Sequence, residues 1–188
     1  MKKLAKLSAL LLVAAVFFAG CKEPEDQTKK TNGGGNDGST FSATFDVSET
    51  PVEIASSTLE LADGNWVYKG INIDGENSET VTLELTVTNS EPSATSGTYS
   101  QIMVSTKESD RNNFKTKAES AGATVTIEGN KCTGTMELTG EDLSYWFGVF
   151  ASLPEQYTIF KTNDARTKFY AEKTNTDGTI VKNYLSKK

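Results

Sequence analysis

The 188-residue sequence has no histidine and only two cysteines, Cys21 and Cys132. Without histidine it cannot assemble Ser-His-Asp or Cys-His nucleophilic machinery, and it lacks the commonest zinc ligand. Long hydrophobic runs are equally scarce: Leu7 to Phe18, broken only by Ser8, is about 12 residues, against roughly 20 for a helix that spans a bilayer. Basic charge is in deficit, with 19 Lys and Arg against 25 Asp and Glu, a formal net charge of -6. Such acidity disfavours nucleic acid and direct adhesion to anionic lipid. Several Asp-Gly pairs occur, but none has the D-x-D-x-D-G spacing with a later glutamate that a calcium loop needs, so they read as turns. No metal, cofactor or enzymatic activity is expected.

What the N-terminus does contain is ordered. Lys2, Lys3 and Lys6 come first without an acid, then the apolar run, then Ala19 and Gly20 before Cys21. This is the layout of a cleaved signal segment rather than a membrane helix. The residues Phe18-Ala19-Gly20-Cys21 resemble the lipobox of bacterial lipoproteins, with Phe18 where leucine is commonest. The resemblance implies removal of residues 1–20 by a signal peptidase of type II, a diacylglycerol on the Cys21 thiol and acylation of the new amine. Two or three acyl chains at about 0.8 kcal/mol per buried CH₂ hold a protein durably, so the membrane is reached through lipidated Cys21. Lys22 is not the aspartate that marks inner-membrane retention. The expected address is the cell envelope, lipid-anchored at the outer membrane, on the periplasmic or the surface-facing leaflet.

Residues 21–40 follow as a tether. Lys29 to Thr40 has no aromatic or branched aliphatic residue and four glycines, so it cannot bury enough apolar area to offset its ordering entropy and is expected to be a flexible coil. Loss of residues 1–20 removes three lysines and takes the net charge from -6 to -9. Residues 41–188 are about 148 positions, enough for a single domain with a sizeable core.

Within that domain the dominant rhythm has a period of two. Val81, Leu83, Leu85 and Val87 alternate with Thr82, Glu84, Thr86 and Thr88, the pattern of a half-buried strand. "KCTGTMEL" alternates likewise and puts Cys132 on its apolar face, where a thiol is normally buried and inert. Asp63-Gly64, Gly129-Asn130 and Asp177-Gly178 predict three hairpin turns, and Asp74-Gly75 a longer connection. Strands are expected near 41–47, 57–62, 65–72, 80–88, 97–104, 123–128, 131–138, 157–162, 167–174 and 178–185. Two helices interrupt them. One is over 109–122, with Phe114, Ala118 and Ala121 on a thin face and Gly122 as its stop. The other is over 139–154, with a cap from Thr139 and Asp142, an apolar stripe of Leu143, Trp146, Phe147, Phe150 and Leu153, and Pro154 as its end. Glu141 and Asp142 serve this helix's dipole better than they would serve catalysis.

The fold class is therefore all-β, an antiparallel meander of about 8–10 short strands forming an up-and-down barrel or curled sheet with one or two short helices. A β-sandwich is the alternative. In strand order and spacing alone the domain resembles the small lipocalin-like domains of bacterial lipoproteins. The candidate ligand pocket comprises Tyr145, Trp146, Phe147, Phe150, Trp66 and Tyr68. These rings either line a cavity for a small apolar or glycan ligand or pack over the end of the core. The corresponding functions are a membrane-anchored binding module, or a structural or protein-interaction surface lipoprotein that meets an envelope partner and has no small-molecule pocket.

Overall fold

The computed structural model describes residues 49–188. The signal segment, Cys21, the tether and the strand expected at 41–47 lie outside the described residues. Among the described residues there are nine strands: β1 Val52–Ala55, β2 Gly64–Asp74, β3 Asn77–Thr88, β4 Glu91–Val104, β5 Thr124–Glu128, β6 Lys131–Leu138, β7 Ile159–Thr162, β8 Lys168–Thr174 and β9 Ile180–Lys187. Three helices accompany them, α1 Glu108–Ser120, α2 Glu141–Ala151 and α3 Leu153–Gln156, with one 3-10 turn at Ser56–Thr58.

All nine strands belong to one antiparallel sheet in the order β1-β7-β8-β9-β2-β3-β4-β6-β5. Two three-strand meanders, β2-β3-β4 and β7-β8-β9, lie side by side and are joined where β9 pairs with β2. The sheet is neither a barrel nor a sandwich. Among the described residues its outer strands, β1 and β5, pair on one side only, and they have four and five residues. Strands that short leave little edge to protect, and helices instead of closure cover the apolar face. Phe114 and Ala118 of α1 lie over Gly134 of β6, where an added Cβ would stand 3.3 Å from Phe114 Cζ. Phe150 of α2 packs on Tyr68, with ring centroids 5.2 Å apart. Trp66, Leu83, Leu85, Phe160, Phe169 and Leu185 complete a core beneath them.

Local chemistry accounts for several departures from the sequence pattern. "TLEL" at 58–61 is not a strand: the 3-10 turn takes Thr58, whose hydroxyl donates to the Ala55 carbonyl at 2.7 Å, and Leu61 is buried outside the sheet. Asp63-Gly64 thus joins no hairpin. The Asp63 carboxylate instead accepts from the Ser90 amide at 2.9 Å, 27 positions along, where Asn89 and Ser90 both take positive φ as a two-residue type I′ turn between β3 and β4 requires. Asp74 pairs directly with Asn77, so the connection at Gly75 is a tight two-residue turn and not a long one.

Helix ends differ too. α1 stops in a Schellman arrangement, the Gly122 amide donating to the Glu119 carbonyl and the Ala123 amide to the Ala118 carbonyl, with Gly122 at φ +94. α2 has no side-chain cap from Thr139 or Asp142. Gly140 at φ +57 stands at its N-terminus, and Asp142 uses its amide, which donates to the Thr139 carbonyl at 3.2 Å. Pro154 does not end α2. It sits in the first turn of α3, a position where a missing N–H costs nothing.

Candidate functional site

One row of cross-strand neighbours lies in phase with the apolar face yet is polar. Continuing the buried phase of β2 from Trp66, Tyr68 and Gly70 reaches Asn72. In β3 the phase of Val81 and Leu83 runs back to Glu79, and in β4 Gln101 follows Tyr99. The register sets these residues side by side, Asn72 opposite Glu79 and Glu79 opposite Gln101. A cavity of about 100 Å³, partly open to solvent, forms where this row meets α2 and α3. Its wall includes Asn72, Glu79, Tyr68, Tyr99 and Asn183 from the sheet, and Trp146, Val149, Gln156 and Tyr157 from the helices and the segment that follows them.

Gly70 makes room for it. A Cβ at that position would stand 2.4 Å from the Tyr68 hydroxyl oxygen, so any side chain would drive the phenol from its place. With glycine there, the Tyr68 hydroxyl donates to Asn183 Oδ1 at 2.7 Å, and Asn183 Nδ2 donates to the Tyr157 hydroxyl at 2.7 Å. Burial pushes the Tyr68 hydroxyl far above the ordinary phenol range, with a smaller contribution from Tyr157. Both phenols are therefore neutral donors at physiological pH. Used as an acceptor, Tyr157 keeps its own proton available.

Across the row Gln101 Nε2 lies 3.4 Å from Glu79 Oε1, and Tyr99 is a second polar neighbour of that carboxyl. Burial raises the Glu79 pKa, and Tyr99 pulls it partly back. Asn72 Oδ1 is buried without a hydrogen-bond partner, the only such side-chain atom among the described residues. Leaving a buried acceptor unmade costs about 1–3 kcal/mol. That cost is recovered when a donor group enters the cavity.

The six rings expected to form a pocket divide. Trp146 and Tyr68 line the cavity, with Trp146 stacked on Tyr99 at 5.7 Å between centroids. Phe150 is buried behind them against Tyr68 and Phe147. Tyr145 is exposed and meets the edge of Trp146. Trp66 shares the face of Tyr68 but not the cavity: it is fully buried beside Phe169, and its indole N–H donates to the Ala62 carbonyl at 2.8 Å. Asn72, Glu79, Tyr99, Tyr157 and Asn183 were not in that group. For Asn72, Glu79 and Asn183 the signal was a polar residue in the apolar phase of its strand, whereas Tyr157 lies outside the strands, between α3 and β7.

Elsewhere, Cys132 is free and buried, with burial raising its pKa against a lesser pull from Arg111. Among the described residues no cluster of three His, Cys, Asp or Glu could hold a metal, and no helix is long and apolar enough to cross a membrane. Comparison with protein-family models, with curated proteins and with solved structures finds no match in any of the three.

Proposed function

We propose that this protein is a lipid-anchored envelope protein, held at the membrane through Cys21, whose β domain binds the end group of a small molecule between α2 and the sheet. The observation that carries the reading is the unpartnered Asn72 Oδ1 beside Glu79 in a cavity open to solvent. At about 100 Å³ the cavity is smaller than the roughly 300–1,000 Å³ of sites that enclose a drug-sized ligand, so it takes part of a molecule. A wholly apolar group would leave Asn72 Oδ1 unpaired and desolvate Glu79 further, which favours the glycan-like member of the two expected ligand classes. Neither role needs catalysis, and none is assigned.

The test is a thermal-shift panel of glycans and lipids on the full chain and on Trp146→Ala. A glycan that raises the melting temperature of the first and not of the second supports the reading. A panel without a single shift counts against it. Labelling cells with a radioactive fatty acid tests the anchor: Cys21→Ser should lose the label.

A second reading, a protein-interaction lipoprotein, draws on the exposed Val52 and Ile159 at the β1 and β7 edge. Cross-linking on intact cells should then recover a partner that Val52→Glu loses.

A further inference from the structure

The cavity wall sets two acceptors side by side, Asn72 Oδ1 and the Glu79 carboxyl, while the Tyr68 donor is already committed to Asn183 and the Tyr157 proton stands across the cavity. Glu79 is also the one formally charged residue of the lining, which includes no lysine or arginine. The Lys173 ammonium lies 5.3 Å from the Tyr157 ring centroid, but that residue is exposed and outside the lining. A part-buried carboxylate without a countercharge is disfavoured, and Tyr99 and Gln101 are the polar neighbours it has among the described contacts.

Geometry narrows the complement. Asn72 and Glu79 are direct cross-strand partners, so their Cβ atoms are about 4.5–5.5 Å apart. One compact group with several donors can reach both oxygens. An ammonium has three donors on a single nitrogen and a full positive charge. The stacked rings of Trp146 and Tyr99 add π faces of the kind that attract cations.

We propose that the cavity receives a protonated primary amine, its ammonium donating to Asn72 and Glu79 beside Trp146. The proposal rests on the reading of the cavity as a ligand site. An aliphatic amine and an amino sugar present the same group, and a neutral sugar satisfies Asn72 but leaves Glu79 without its countercharge.

Calorimetric titration of the full-length chain with n-butylammonium, glucosamine, 1-butanol and glucose at constant ionic strength separates these cases. At least one amine should bind about tenfold or more tightly than its neutral counterpart, since hydrogen bonds to charged groups are the stronger class. Preference for glucosamine alone assigns the amine to a sugar, and preference for butylammonium assigns it to an aliphatic chain. Glu79→Gln should abolish the preference, Asn72→Leu should weaken amine binding, and Glu141→Gln, on the exposed start of α2, should change neither. Equal binding of the neutral compounds, or a preference that survives Glu79→Gln, overturns the amine while leaving the ligand site standing. Silence of both amines overturns it too. Silence of the amines together with the whole glycan and lipid panel removes the site itself.

Discussion

Two helices lie on the same sheet face and do opposite things with it. α1 carries a thin apolar face and buries its two members within the helix: Phe114 is 0% exposed and Ala118 5%, seated over the buried Gly134. α2 has the broader stripe and buries only Phe150, with Leu143, Trp146, Phe147 and Val149 half-exposed. The difference comes from the sheet beneath. Under α1 the facing positions are small or apolar, so ring and methyl groups settle into contact. Under α2 they include Gly70, Asn72 and Glu79, which leave both space and unspent polarity. The wide apolar helix face therefore overlies the candidate site here, and the narrow one seals the core.

The largest expected effect tests that contrast on stability. Phe114→Ala should cost about 3–5 kcal/mol, as loss of a buried aromatic does. Trp146→Ala, which gives up a half-exposed ring and one stack, should cost about 1–2 kcal/mol. Urea denaturation of both gives the comparison, and equal costs would break it. Next in size is Gly70→Ala. Its methyl group would collide with the Tyr68 hydroxyl, so a loss of about 1–3 kcal/mol is expected, with Asn183 freed from Tyr68 in a side-chain NMR spectrum. Unchanged stability would mean that the phenol moves freely and that glycine is not what shapes the cavity.

A smaller effect follows from Glu79. Burial raises its folded-state pKa above the unfolded value, so the native state holds the proton more firmly and the carboxylate is a liability above that folded pKa. The liability fades as pH falls toward the unfolded value. Glu79→Gln should then be more stable than the parent at about pH 7, with the advantage gone near about pH 4. An advantage that grew on acidification would reverse the sign and refute the burial argument. Smallest is the thiol: Cys132 should react with a disulfide reagent only at the rate of domain opening, and Phe114→Ala should accelerate it. Fast reaction in the folded parent would show that α1 does not seal its half of the sheet.

Much of the fold was legible because its signals are local. The alternation in β3 and β6, the Gly129-Asn130 turn and the Gly122 stop each depend on a few adjacent residues, and they lie where the pattern puts them. Closure was not legible. Whether the first and last strands of a meander meet is decided by their lengths and by what covers the apolar face, and no single window encodes either. Asp63-Gly64 shows the same limit at smaller scale, since its carboxylate serves a turn 27 positions away. In the candidate site, Trp146 and Tyr68 stood out as large rings with a polar handle. Asn72 and Glu79 did not, because each looks like an ordinary solvent-facing residue until register places both on the buried phase.

Whether the space beneath α2 is a site or a flaw in packing can be measured directly at Val149, which lines it. Val149→Phe puts apolar bulk into the cavity. If the polar row exists to meet a ligand, the substitution desolvates Asn72 and Glu79 at about 1–3 kcal/mol. The urea midpoint then does not rise, and the calorimetric response to amines disappears. A midpoint that rises, as filling an empty apolar void would make it do, would contradict the account.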